Sequence, residues 1–137
     1  MAKIVALSRI PLLTSKPFFS IAATVIIVPV AYGALTGYML GVSAIAFFAL
    51  IALSIPGGFV AGCEHDKVAH GAIRGLIGSS FFGAGLLGMQ AITGAPPKAH
   101  MLPLAYFVLV NGVAGILLGL LGAWARTRAT RTHPSAG

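Results

Sequence analysis

The chain alternates long apolar runs with short basic interruptions. Residues 18 to 63 contain no Asp, Glu, Lys, Arg or His, a run of 46 residues. A helix crossing the hydrocarbon core of a bilayer needs about 20 apolar residues, so this run is long enough for two helices and a turn. The turn is expected near Gly37 to Gly41, where Thr36-Gly37-Tyr38-Met39-Leu40-Gly41 combines two glycines with a tyrosine suited to the interface. Residues 75 to 97 are also free of charge and end on Gly94-Ala95-Pro96-Pro97. A last run, Met101 to Ala125, carries Trp124 at its end, where aromatic rings settle at headgroup level. The pattern predicts an all-α integral membrane bundle in a single domain. Its four transmembrane helices are expected at 18–38, 41–62, 74–93 and 102–124, with a loop at 63–73 and a basic tail at 125–137. Pro11 and Pro17 interrupt any long helix in residues 1–17, whose mixed Ile, Leu, Lys and Arg content suits an interfacial segment. That opening has the basic-then-apolar order of a secretory signal but no clean small-residue cleavage site, so it is expected to be retained.

The basic residues test this layout. Four spans put Lys3, Arg9, Lys16, Lys67, Arg74, Arg126, Arg128 and Arg131 on one side and only Lys98 on the other. Basic residues collect on the cytoplasmic side of membrane proteins, so both termini are expected in the cytoplasm, in a bacterial or archaeal cytoplasmic membrane. Three spans would lose the asymmetry. Composition agrees: 58% of residues are hydrophobic, 8% are charged, and mean hydropathy is +0.97. A soluble domain carries about 25% charged residues, and disorder needs low hydrophobicity, so neither class fits. The one cysteine, Cys63, rules out a disulfide scaffold. The net charge of +7 follows from topology rather than from nucleic-acid binding. The stretch Arg126-Thr127-Arg128-Ala129-Thr130-Arg131 suits anionic lipid headgroups, at about 1 kcal/mol per basic residue.

Glycine spacing suggests how the helices meet. Gly71, Gly75, Gly78 and Gly85 fall on one face of the third span, and Gly112, Gly115, Gly119 and Gly122 on one face of the fourth. Small residues let helix backbones approach closely in lipid, so these two spans are expected to pack antiparallel along facing seams. The alternative is that one seam faces another subunit or a cofactor. Pro29 is expected to kink the first span, with Gly33, Gly37 and Gly41 beyond it. Pro56-Gly57-Gly58 is expected to interrupt the second span, either at a cavity or at its cytoplasmic end.

Candidate chemistry is sparse. The densest polar cluster is Cys63, Glu64, His65, Asp66 and Lys67, followed by His70 and Arg74. Read as one helix, Cys63, Asp66 or Lys67, His70 and Arg74 would share a face; read as a loop, the cluster is a solvated docking surface. A structural zinc site needs four ligands at compact spacing, and no second cluster supplies them. A haem held by two facing histidines is disfavoured because His70 and His100 fall near opposite surfaces. A pigment, haem or metal held through His70 or Cys63 stays open as a minor reading; no cofactor or metal is expected. No span carries a central acid, which argues against a proton-coupled exchanger of the small multidrug type. Gln90 and Asn111 are the candidate intramembrane polar contacts, bridging helices or lining a path. No catalytic grouping or phosphate loop is present, so an enzyme is not expected. The first expectation is a non-catalytic accessory or structural subunit of a larger membrane assembly, partnered by other subunits or by copies of itself. The alternative is a small oligomeric channel or transporter for an uncharged or anionic solute.

Overall fold

The computed structural model describes residues 11–99 and 103–132. Within them the secondary structure is helical, with no strand. A 3-10 turn, Leu13–Ser15, precedes four long helices: α1 (Phe18–Val42), α2 (Ala44–Cys63), α3 (Val68–Thr93) and α4 (Leu104–Thr132). Each holds a stretch long and apolar enough to cross a membrane, as a multi-pass membrane protein requires. Large apolar side chains such as Leu109, Leu53 and Phe48 cover the outside of the bundle. Residues 1–10 of the expected interfacial segment, His100, and His133 with the rest of the tail lie outside the described residues.

The helix ends differ from the ends of the charge-free runs. The first hairpin turns at Ser43 alone rather than in the Gly37–Gly41 stretch. Ser43 is extended (φ −153°, ψ 120°), its N–H donates to Met39 O at 2.8 Å, and its Oγ accepts from Ala46 N–H at 3.3 Å. A serine in that position satisfies an orphan donor at the start of α2. Gly37 stays helical and packs against α3, where a Cβ would stand 2.6 Å from Leu86 O. The loop expected over 63–73 shrinks to residues 64–67, and α3 begins at Val68. α4 likewise continues through Arg126, Arg128 and Arg131. Arginine is a good helix former and favours a helix C-terminus, so charge marks the edge of the apolar run and not the end of the helix. α3 ends on Gly94, the one positive-φ residue among those described (φ 58°), whose N–H donates to Gln90 O at 3.0 Å.

α3 lies between α1 and α4, and α2 packs mainly on α4. The approaches are backbone to backbone. A Cβ on Gly75 would strike Gly115 O, and one on Gly119 would strike Gly71 O, so α3 and α4 run antiparallel in direct contact. Gly33 and Gly85 meet the other pair, against Phe82 O and Val30 O, where α1 and α3 run parallel. Gly62 and Gly122 do the same between α2 and α4. Gly78 and Gly112 make no interhelical approach: a Cβ on Gly78 would meet only the Arg74 side chain, and one on Gly112 would meet nothing within 4 Å.

The buried apolar cluster, Leu40, Phe47, Phe82, Leu86 and Ala99, sits toward the end of the bundle that carries Lys98. Lys98 N–H donates to Leu40 O at 2.9 Å and holds the α3–α4 link against α1. Tyr32 OH donates to Leu50 O at 2.7 Å and Gln90 Nε2 to Gly37 O, which tie α1 to α2 and to α3. Pro56 lies inside α2 without ending it. Around Pro29 the helical register changes: residues Ala23–Ile27 form a π-turn.

Candidate functional site

The π-turn creates the first element of the site. Within it Val28 N–H reaches back five residues to Ala23 O. In the same register the next carbonyl, Thr24 O, falls to Pro29, which has no N–H to give. That carbonyl is satisfied from across the bundle, because Arg74 Nη2 donates to it at 2.8 Å. A buried carbonyl left without a donor is costly, so this bond gives the guanidinium a reason to point inward. Arg74 stands six residues into α3, about 9 Å along its axis. Arginines near a helix end usually extend toward the headgroups. Arg74 instead lies against Gly78, one turn deeper, where a Cβ would stand 2.7 Å from its Nη1. It is 7% exposed, and its Nε has no hydrogen-bond partner.

Arg74 lines a cavity of about 580 Å³ bounded by all four helices. That volume falls within the usual 300–1,000 Å³ of small-molecule sites. Most of the wall is apolar, with Tyr32, Ile51, Phe82 and Phe107 toward the Lys98 end. The ring pairs Tyr32–Phe82 and Phe47–Phe107, each 6.0 Å between centroids, stand at that end. Thr24, Ser54 and Ser79 contribute hydroxyls, each donating to a carbonyl of its own helix (Ser20, Ile51 and Leu76). Asn111 also faces the cavity, and its Nδ2 lies 3.4 Å from Ser79 O across the α3–α4 contact. Val28, Leu53 and Ile55 both line the cavity and are more than half exposed, at 58%, 63% and 52%. The cavity therefore opens sideways along α1 and α2, within the apolar belt.

The basic end of the bundle is closed by a second set of contacts. Glu64 is buried and pairs with Lys16. Its backbone carbonyl accepts from Leu13 N–H at 3.1 Å, and its Oε2 has no partner. Arg126 is buried and its Nη1 donates to Cys63 O at 2.6 Å, so a cation satisfies the carbonyl end of α2. The Cys63 thiol is buried and lies 3.3 Å from Gly122 O. His65 Nδ1 lies 3.3 Å from Ala61 O. Burial holds the His65 imidazole below the usual value of about 6.5, against the pull of the Ala61 hydrogen bond; the Arg74 and His70 charges add to the lowering and the Glu64 carboxylate opposes it.

The structure thus divides the polar cluster read from the sequence. Cys63 closes α2 while His70 and Arg74 belong to α3, so the helical face through Cys63, Asp66 or Lys67, His70 and Arg74 does not form. Cys63, Glu64 and Arg74 turn inward, His65 is half-buried, and Asp66, Lys67 and His70 remain exposed. The inward turn follows from the open carbonyls at Thr24 and at the end of α2, which hydropathy alone does not reveal. Thr24 and Tyr32, which the sequence marks only as uncharged polar groups within the first span, belong to the cavity wall, as does Phe107, which no sequence pattern singles out; Lys16, a basic flank in the sequence, takes part in the closure of the basic end. Among the described residues no three His, Cys, Asp or Glu side chains converge as metal ligands would. Comparison with protein-family models, with curated proteins and with solved structures gives no match.

Proposed function

We propose that this chain is a small multi-pass membrane protein that binds an uncharged or anionic solute in the cavity between its helices and passes it across or along the membrane. The observation that carries the reading is a buried cation in a cavity bounded by all four helices. A charge taken out of water costs several kcal/mol unless something compensates it, and a binding site is the common use of such a residue. The eight-to-one distribution of basic residues supports both chain ends lying in the cytoplasm. The glycine contacts support a rigid frame, with α3 held to both α1 and α4 at backbone distance, around a cavity whose α1–α2 side is less tightly packed. This reading is preferred to an accessory subunit because Glu64 and Arg74, offered as docking groups, are buried. The subunit reading now rests on Asp66, Lys67 and His70 at the exposed surface.

The test is flux. Proteoliposomes are loaded with a mixture of short- and long-chain carboxylates, phosphate esters and neutral polyols, and their release is followed by mass spectrometry. At least one solute leaves faster than from protein-free vesicles. Asn111→Leu, which puts an apolar branch into the cavity, slows it by about tenfold, the equivalent of 1.4 kcal/mol. Release no faster than from empty vesicles, together with co-purification of stoichiometric larger partners in mild detergent, defeats the solute path in favour of the subunit role.

A further inference from the structure

Three features of the cavity point to the kind of molecule it holds. The first is Arg74 itself. Among the described residues it is the one charged side chain in the wall, it is more than nine-tenths buried, and its Nε–H is unpartnered. One Nη2 hydrogen is committed to Thr24 O, which fixes the plane of the guanidinium. The Nε–H is enclosed by the protein, so an oxyanion in the cavity would meet the guanidinium at its remaining Nη hydrogens, with charge-assisted hydrogen bonds. Glu64, the buried carboxylate at the same end of the bundle, acts on Arg74 through its charge but forms its ion pair with Lys16 and makes no hydrogen bond to the guanidinium.

The second feature is the rest of the wall. Val28, Ile51, Leu53, Phe82, Val110 and Leu118 present hydrocarbon. The hydroxyls of Thr24, Ser54 and Ser79 donate back to their own helices. A small hydrophilic anion would satisfy Arg74 but would leave this apolar surface without a partner. The third feature is the side opening along Val28, Leu53 and Ile55, midway along two helices long and apolar enough to cross a membrane, where a bilayer would present lipid tails rather than water. A molecule that enters there must already dissolve in the membrane.

We propose that the cavity binds a single-chain amphiphile with an anionic head, a carboxylate or a phosphate, which enters sideways from the bilayer, sets its head on Arg74 and lays its chain along the apolar wall. The proposal rests on the solute-path reading and names its ligand class. It also assigns a role to Pro29 and Gly78. Pro29 leaves the carbonyl that draws Arg74 inward, and Gly78 leaves the space in which the guanidinium lies.

Binding of defined probes to the full-length protein in a non-ionic detergent, read as 1:1 adducts by native mass spectrometry, tests the proposal. The probes are dodecanoate, dodecyl phosphate, dodecanol, acetate and inorganic phosphate. Dodecanoate and dodecyl phosphate bind at least about tenfold more tightly than dodecanol, as expected for hydrogen bonds to a charged group. Arg74→Gln removes that preference while dodecanol still binds, which shows that the variant is folded. Arg74→Lys keeps the charge and a reduced preference. Equal binding of dodecanoate and dodecanol by the wild type overturns the proposal, and so does a preference that survives Arg74→Gln. Acetate or inorganic phosphate binding as tightly as the long-chain probes makes the ligand a free anion and overturns the amphiphile class. If none of the five probes binds, the present proposal fails while the solute-path reading still stands or falls on the flux measurement; if long-chain acid and alcohol bind alike, only the present proposal fails.

Discussion

At the scale of single residues, Arg74 and Gly78 act as a pair. A methyl at Gly78 would stand 2.7 Å from Arg74 Nη1, the far end of a flexible side chain and not backbone. Gly78→Ala is therefore expected to fold, with stability within about 1 kcal/mol of wild type. The guanidinium has to move, so the preference for dodecanoate over dodecanol falls. A variant with unchanged preference would show that the inward pose does not matter. His65 gives a second prediction, with its sign set by burial. Its folded-state pKa lies below the unfolded value of about 6.5, so the folded chain resists its protonation. The stability this contributes is complete above about pH 6.5 and is lost as the pH falls through the lower, folded value. The thermal midpoint in detergent should drop between pH 7.5 and 5.5, and the drop should be smaller in His65→Gln. An equal drop in both proteins would assign the effect to another group.

At the scale of elements, glycines that look alike in the sequence divide by what they touch. Gly75 faces the backbone carbonyl of Gly115, and neither helix can yield locally. Gly75→Ala should separate α3 from α4 and cost about 1–3 kcal/mol. Gly112 belongs to the same periodic set yet meets nothing within 4 Å. Gly112→Ala should be neutral or stabilising by up to about 1 kcal/mol, since alanine loses less backbone entropy in a helix. Denaturation of the two variants side by side checks this, and equal losses would contradict the contact geometry. Spacing reports which face a glycine occupies; it does not report what stands opposite. The four helices themselves are legible as charge-free runs, because no other element accommodates so long an apolar stretch. Their ends are not, because a serine cap at Ser43 sets one turn and arginine-tolerant helices extend past the others.

At the scale of the whole molecule, the site depends on groups far apart in the chain. Thr24 and Arg74 are 50 residues apart, and no local pattern connects them. Two signals were present in the sequence: Pro29, which leaves a carbonyl without its donor, and Gly78, four residues beyond the arginine. Each has a commoner explanation, helix kinking for one and helix packing for the other, and only their convergence in space gives them a shared meaning. Arg74, the one basic side chain in the cavity wall among the described residues, reads in the sequence as the edge of a solvated loop, because hydropathy locates a charge along the chain and not the direction in which its side chain extends. The glycine contacts fix α3 against α1 and α4 and leave the cavity between the four helices. The account as a whole stands on that cavity being filled by a ligand that enters from the bilayer, while the outer faces of the same helices meet lipid. Cysteine accessibility in a Cys63→Ala background measures this most directly, with single cysteines at Ser54 and Ala114 in the cavity wall and at Leu109 and Leu117 on the outer face of α4. Labelling by a membrane-permeant maleimide is predicted to be slowed by dodecanoate at the first pair and to be unchanged by it at the second. Dodecanoate that protects Ser54→Cys and Ala114→Cys no more than Leu109→Cys and Leu117→Cys would contradict it.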